Sequence, residues 1–220
     1  LHTSVEKPPG MSSSDTKRIL KAEKKSNCIV MVSFNRRYIP QVLAVRKMVL
    51  DRGGAIHCST TYNKTPVADN PLWGNYPLIH DAIHHVDLLR WFAGDVSEVY
   101  SYYYLADNSS NRQHHNAIIS FTNGCRGTFM SHYGVGYRIQ RAEVHANDFS
   151  AYIDLTGAPK CEIYENGKPY TNPLDLDAIG GSNFNETRHF IDCIENGKKP
   201  WSNIEDAVKT MELCEAILHK

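Results

Sequence analysis

Two short segments carry residue types that can do acid–base chemistry on a hydroxyl group. Lys7 lies in a Glu-Lys-Pro motif directly after a short β-prone stretch. His80, His84 and Asp87 are spaced four and three residues apart in a run that favours a helix. At about 3.6 residues per turn, this spacing places the three side chains on one helix face. An imidazole titrates near neutral pH and an ammonium can hydrogen-bond a reacting oxygen, so the two segments together predict a proton-transfer site.

Each of these groups also has a plain structural interpretation. Most other positions of the helix are apolar, so the helix is expected to be buried, and buried ionisable groups need partners. Asp87 is expected to pair with an arginine or with backbone groups. His85 lies off the shared face and is expected in packing or at the surface. His84 is the strongest candidate for a functional role.

Two metal-dependent alternatives compete for the same segment. Two histidines four residues apart with a nearby carboxylate can bind zinc. No obvious third ligand follows, although five histidines remain as candidates: His57, His114, His115, His132 and His145. The dipeptide formed by His80 and Asp81 is also found in metal-dependent phosphohydrolases, but those are all-helical and this chain is rich in β segments. We therefore expect no metal.

The elements that must position these residues form two unequal parts. Residues 1–35 read as strand, helix and strand, and the apolar run over 28–34 is typical of a strand buried in a parallel sheet. A helix is predicted from 78 to 93, closed by Gly94, after a proline- and asparagine-rich loop at 64–77. Further strands are predicted near 55–63, 96–105, 113–122, 125–133, 138–146, 149–155 and 160–165, and further helices after Pro40, at 183–196 and at 203–218. The pattern predicts an α+β fold, with an open-faced, mostly antiparallel sheet and helices on one side.

One predicted strand carries an unusual run of tyrosines. Alternation along it places Tyr102 and Tyr104 on one face and Tyr103 on the other. Aromatic side chains are common at protein interfaces. The open face of the sheet is therefore expected to mediate self-association or the binding of a partner.

Composition excludes several classes of partner. The chain has 24 basic and 24 acidic residues, which gives no support for binding nucleic acid or acidic lipid. No apolar run approaches the ~18 residues needed to cross a bilayer, so no membrane association is expected. Its six cysteines are scattered and form no Cys-x-x-Cys pair, which favours a reducing, cytoplasmic location.

Three motifs in order make the chain resemble the glucose–fructose oxidoreductase/inositol dehydrogenase (Gfo/Idh/MocA) family. They are Val-Glu-Lys-Pro from residue 5, Met-Val-Ser-Phe-Asn-Arg-Arg-Tyr from residue 31 and Ile-His-His-Val-Asp-Leu-Leu-Arg-Trp from residue 83. The resemblance covers essentially the whole chain. It implies an N-terminal Rossmann domain followed by an open-faced sheet domain. Residues 1–35 are accordingly expected to be the last strand-helix-strand of a dinucleotide-binding domain, and residues 36–220 the substrate and oligomerisation domain.

The resemblance also implies an activity and assigns roles. Family members transfer hydride between NAD or NADP and a hydroxyl carbon of a sugar, polyol or related small molecule. Lys7 falls on the lysine that lies between nicotinamide and substrate, flanked by Glu6 and Pro8 at the cofactor. His84 falls on the proton donor and acceptor, and Arg36 on a position near both cofactor and substrate.

The chain departs from the family pattern at two places. Many members have an aspartate four residues before the histidine, where this chain has His80, followed by Asp81. Either His80 takes over part of the proton relay, or a different substrate contact is used, for which Asp81 is the candidate. No Gly-x-Gly-x-x-Gly motif occurs, so the chain is expected to be a fragment or truncated gene model, inactive alone. A non-catalytic interaction module and a glycosidase that uses nicotinamide transiently are the alternatives.

Overall fold

The structure is a computed structural model of the 220-residue chain. It describes residues 1–65, 77–105, 112–175, 177–179, 181 and 184–218. Most of the loop predicted at 64–77 lies outside the described residues.

A small parallel unit opens the chain. Strand β1 (Thr3–Val5) leads through helix α1 (Ser13–Lys24) to strand β2 (Val30–Val32), and the two strands pair in parallel. Helix α1 begins after Ser12, whose hydroxyl accepts a hydrogen bond from the backbone N–H of Asp15. The strand-helix-strand unit expected from the sequence is therefore present.

The rest of the chain is built on an eight-stranded sheet. Its strands are β3 (His57–Lys64), β4 (Val96–Leu105), β5 (Gln113–Phe121), β6 (Arg126–Tyr133), β7 (Ile139–Ala146), β8 (Phe149–Asp154), β9 (Lys160–Glu165) and β10 (Lys168–Pro169). In space they run β10-β9-β8-β7-β3-β6-β5-β4, and every pair is antiparallel except β3 with β6. The predicted α+β class and the mostly antiparallel sheet are confirmed.

Among the described residues after β2, four α-helices accompany this sheet: α2 (Pro40–Leu50), α3 (Ile83–Ala93), α4 (Glu186–Glu195) and α5 (Ile204–Leu218). Pro40 opens α2, where its missing N–H costs nothing. Gly94 ends α3 with a φ of 98°, a left-handed value that glycine adopts without strain. The helix boundaries predicted from glycines and prolines are thus close to those observed.

The predicted helix over 78–93 is wrong in its first turn. Leu78–Ala82 form a π-helical turn, and the α-helix begins only at Ile83. Two hydrogen bonds accompany the wider turn: Lys7 donates to the carbonyl of His80, and Tyr62 on β3 donates to the carboxylate of Asp81. Because π turns carry an extra residue, His80 and Asp81 do not keep the α-helical spacing to His84 that the sequence predicted.

Helices α2, α3 and α5 pack on one face of the sheet and leave the other open. On β4, Tyr100, Tyr102 and Tyr104 are more than half exposed on the open face. Tyr103 instead stacks on the buried ring of His115, with 5.0 Å between ring centroids. The alternation predicted for the tyrosine run is confirmed.

The covered face is apolar at one end of its strands and polar at the other. Towards one end it is apolar, with Cys58 on β3 completely buried in the hydrophobic core. Towards the other end Tyr62 lies opposite Gln140, and Lys64 lies opposite Tyr133. We call these four residues the polar corner of the sheet. It faces the π-helical turn, because Tyr62 and Lys64 both donate hydrogen bonds to Asp81 in that turn.

Candidate active site

Lys7 connects the small parallel unit to the helix that carries the histidines. It follows β1 directly, and its Nζ donates a hydrogen bond to the carbonyl oxygen of His80 at 2.7 Å. Burial lowers the pKa of Lys7, although the carboxylate of Asp81 acts in the opposite direction. The ammonium is thereby fixed at the start of α3.

His84 lies in the first turn of α3 and is only 8% exposed. Burial, reinforced by the charges of Lys7 and Arg36, lowers its pKa to about 3. The imidazole is therefore neutral at physiological pH. Its Nδ1 is buried and has no hydrogen-bond partner among the described residues. A neutral imidazole with a free nitrogen can exchange a proton with a ligand hydroxyl.

Arg36 enters the same space from the turn after β2. Its Nη2 donates a hydrogen bond to Oε1 of Gln140 at 3.1 Å, which connects it to the polar corner. Its Nε is buried without a partner in the described part of the chain. Burial lowers the pKa of Arg36, and the charge of Arg138 adds to this effect.

Asp81 is held by three donors of the polar corner. One oxygen accepts a hydrogen bond from Tyr62 at 2.6 Å, and the other accepts from Lys64 at 2.6 Å and from Tyr133 at 3.2 Å. Burial alone acts to raise the pKa of Asp81, but the bonds from Lys64 and Tyr62 outweigh it and the net pKa is lowered. The carboxylate is thus ionised and already occupied by protein groups.

His80 lies in the π-helical turn beside Asp81. Its backbone carbonyl receives the bond from Lys7, and its ring Nε2 is buried without a partner among the residues described. Burial, followed by the charge of Lys7, lowers the pKa of His80. Both candidate histidines therefore combine a depressed pKa with an unpartnered ring nitrogen.

Asp87 faces a different environment from His84. Its carboxylate receives Nε and Nη2 of Arg37 at 2.7 and 2.5 Å, and it also accepts from Thr210 at 3.0 Å. Arg37 extends the network to Asp206 on α5. Despite burial, these two carboxylates hold the pKa of Arg37 above its usual range. Asp87 thus forms the arginine pair that the structural interpretation anticipated, and it fastens α3 to α5.

Comparison with protein families gives an independent view of these elements. Residues 54–220 match the family described as "Oxidoreductase family, C-terminal alpha/beta domain". The chain belongs to this family. The match contains α3 and all eight strands of the large sheet, whereas Lys7 and Arg36 lie before it.

Individual members of this oxidoreductase family match shorter or longer parts of the chain. Inositol 2-dehydrogenase of Paracoccus denitrificans is 36% identical over 94 residues, which are 41% of this chain and 27% of that protein. Inositol 2-dehydrogenase of Rhizobium meliloti is 26% identical over 238 residues, covering 96% of this chain and 68% of that protein. A levoglucosan dehydrogenase, solved in complex with NADH and levoglucosan, shares the fold with a TM-score of 0.84 at 20% identity, covering 99% of this chain and 71% of that one. The chain therefore spans only part of the length of the proteins it resembles.

The polar corner of the sheet was not predicted from the sequence. Its side chains come from three strands that are distant along the chain. A signal was present on β3, where Tyr62 and Lys64 alternate in phase with the buried Cys58 and Thr60. When polar side chains follow buried ones on the same face of a strand, that face is expected to border a cavity or a functional group.

The other features singled out from the sequence have simple structural settings. His85 is completely buried and packs edge-on against Tyr62, with ring centroids 5.0 Å apart. Within the described ranges, no group of three His, Cys, Asp or Glu side chains is arranged to hold a metal ion. All six cysteines are free. Among the described helices, none has the length and apolar character that a bilayer crossing needs.

Proposed function

We propose that the chain forms the substrate side of a nicotinamide-dependent oxidoreductase. The reaction is hydride transfer between NAD or NADP and a hydroxyl-bearing carbon of a sugar, polyol or related small molecule. The observation that carries the proposal is the contact between Nζ of Lys7 and the carbonyl oxygen of His80. The ammonium from the end of β1 thus lies against the π-helical turn that leads into α3, and His84 in the first turn of α3 has an unpartnered ring nitrogen.

The residues present fit the nicotinamide end of such a cofactor. The carboxyl ends of β1 and β2 lie side by side, since Val5 pairs with Val32 and Ser33 donates to the carbonyl of Val5. Ligands of open α/β sheets bind beyond this edge, where Glu6, Lys7 and Pro8 follow β1. The sequence holds no glycine-rich phosphate loop, so its fit is limited to the nicotinamide end. When bound, the nicotinamide supplies the hydride acceptor or donor.

The chain's own residues handle the proton and the charge. Lys7 donates a hydrogen bond to the reacting oxygen and stabilises the alkoxide character that develops there. Nδ1 of His84 is neutral and free, so it accepts the proton of the hydroxyl group. His80, whose Nε2 is also free, provides a second position for that proton. Arg36 orients the substrate from the side of the polar corner.

A titration and a coupled assay test this proposal. NADH and NADPH are titrated into the protein and followed by fluorescence, and reduction of NAD⁺ and NADP⁺ is then measured with a panel of sugars and polyols. Saturable binding with substrate-dependent reduction supports the proposal. A folded protein that contains this chain and neither binds nor reduces nicotinamide contradicts it. NAD⁺-dependent cleavage of aryl glycosides without net reduction would instead assign the nicotinamide-assisted glycosidase.

We also propose that the open face of the sheet mediates self-association. Tyr102 is 66% and Ile118 is 61% exposed there, on adjacent strands. Large aromatic and aliphatic side chains on one face favour burial against another protein surface. This proposal also covers the alternative of a non-catalytic interaction module, because it does not depend on nicotinamide chemistry.

A further inference from the structure

Three cations surround the candidate site without carboxylate partners. Lys7 and Arg36 flank His84, and Arg138 lies just before β7, near Arg36. In the described part of the chain none of the three forms an ion pair, and Asp81 is already held by Lys64. Lys7 and Arg36 are half-buried, and such cations are costly unless an anion compensates them, whereas Arg138 is exposed.

The hydrogen-bond donors of the site also lack partners. Nε of Arg36 and Nε2 of Gln140 are both buried and both lack an acceptor among the described residues. Gln140 is completely buried on the covered face, and its Oε1 already receives Arg36. Two buried N–H donors of the site therefore have no acceptor among the described residues. A guanidinium in this state is suited to a planar or phosphate oxyanion, which it can bind with two parallel bonds.

The pKa values of the site reflect burial first and nearby charges second. Burial lowers the pKa of Lys7, and the carboxylates of Asp81 and Glu6 only partly offset it. Burial also lowers the pKa of Arg36, and the charge of Arg138 adds to that shift while Asp81 opposes it. Burial followed by the charges of Lys7 and Arg36 lowers the pKa of His84. An anion bound among these groups would offset the repulsion. It would also raise the pKa of the His84 imidazole towards its ordinary value.

We infer that the substrate of this site is an anionic sugar or polyol derivative whose oxyanion, a carboxylate or a phosphate, is bound by Arg36 and Arg138. The inference rests on the proposed function for the identity of the reacting hydroxyl. It goes further by naming the charge of the substrate and the residues that select it. Lys7 then contacts the reacting oxygen, and the two arginines contact the oxyanion.

Direct binding measurements test the inference. D-Glucuronate is compared with D-glucose, D-gluconate with D-sorbitol, and a hexose phosphate with the free hexose. Each is titrated calorimetrically into the protein at matched ionic strength, with and without NADH. We expect the anionic member of at least one pair to bind at least about tenfold more tightly, with the advantage shrinking as salt is added. The carboxylate and phosphate pairs distinguish the two possible oxyanions.

Variants of Arg36 and Arg138 test whether these two residues cause the preference for the anionic ligand. Arg138 is exposed, so Arg138→Gln is expected to fold normally and to remove most of the preference for the anionic member. Arg36→Gln is expected to do the same, while Arg36→Lys keeps the charge but loses the forked geometry and retains part of the preference. Arg18→Gln, on the exposed surface of α1, is the matched control and should change nothing.

The outcomes separate this inference from the proposed function. Equal binding of neutral and anionic members, binding of neither, or a preference that survives both glutamine variants overturns the inference. Nicotinamide-linked activity on neutral sugars with no anionic preference would overturn it while leaving the proposed function intact. A clear anionic preference in a protein with no nicotinamide chemistry would support the anion site and contradict the proposed function.

Discussion

The ammonium of Lys7 and the carbonyl oxygen of His80 are 2.7 Å apart, although 73 positions separate the two residues in the chain. This bond joins the end of β1 to the π-helical turn that precedes α3. The turn also carries Asp81, which the polar corner of the sheet holds with three hydrogen bonds. The position of the ammonium therefore depends on the small parallel unit and on the large sheet at the same time.

The first prediction concerns the two groups proposed to touch the reacting oxygen. Lys7→Ala and His84→Ala should each lower kcat at least about a hundredfold, because each removes a group that moves a proton or stabilises developing charge. The measurement is steady-state reduction of nicotinamide by the whole protein, with circular dichroism to show that the fold is retained.

Matched controls make this result specific. Lys21→Ala removes an exposed lysine from α1, and His2→Gln removes an exposed imidazole, so both should leave kcat unchanged. Wild-type turnover in the Lys7 and His84 variants would exclude the proposed roles. Equal losses in the control variants would show that the assay reports stability and not chemistry.

The second prediction is a dependence of stability on pH caused by His84. Its pKa falls from 6.5, the value of an accessible imidazole, to about 3 in the folded chain, chiefly because of burial. As pH falls below 6.5 the unfolded state takes up a proton that the folded state does not, so stability is present above this value and is lost on acidification. The expected loss from this one group is about 2 kcal/mol between about pH 7 and about pH 5.

Urea unfolding at the two pH values measures this loss. His84→Gln should reduce the difference between them, because the variant has no imidazole to protonate at this position. His85 is also buried with a strongly lowered pKa, so part of the pH dependence should remain in the variant. A pH dependence that is identical in the wild type and in His84→Gln would show that His84 is not desolvated as the structure describes.

Sequence reasoning was most successful where a local pattern determines the structure. The end of α3 at Gly94 and the alternation of Tyr102 and Tyr103 each depend on a few neighbouring residues. The resemblance motifs by themselves point to Lys7, Arg36 and the histidines, and the fold brings these groups together.

The remaining features depend on contacts between distant parts of the chain. Regular periodicity predicted an α-helix through His80, whereas the observed π-helical turn accepts hydrogen bonds from Lys7 and from Tyr62. Arg37 was not singled out, because only the fold shows that it meets Asp87 fifty positions away. Such partners can be recognised from one sequence only when the pairing of the elements is already known.

The third prediction concerns the ion pair between Arg37 and Asp87. Both side chains are at most 2% exposed, so Asp87→Asn leaves a buried guanidinium with only part of its compensation. Removing one member of a buried pair is typically destabilising by about 3 to 5 kcal/mol, and the remaining carboxylate of Asp206 favours the lower end of this range. Unfolding in urea at constant pH measures the change in the free energy of unfolding.

The control for this prediction is an exposed pair of the same chemical type. Asp51→Asn removes one member of the surface ion pair with Lys47, and it should leave the free energy of unfolding unchanged within error. If Asp87→Asn is equally silent, the buried network does not fasten α3 to α5. The two variants remove the same charge, so their difference reports burial together with the hydrogen bonds that Asp87 accepts from Arg37 and Thr210.

The fourth prediction tests the open face of the sheet. Tyr102→Lys adds a charge where the proposed contact buries an aromatic ring, so it should shift the protein towards the smaller species in size-exclusion chromatography with light scattering. Tyr137→Lys is the control, because Tyr137 is just as exposed, at 69%, but lies in the turn before β7 and outside the β4 tyrosine row. Since the two substitutions change charge and size identically, a shift in both, in neither, or in Tyr137→Lys alone would place any self-association elsewhere on the molecule.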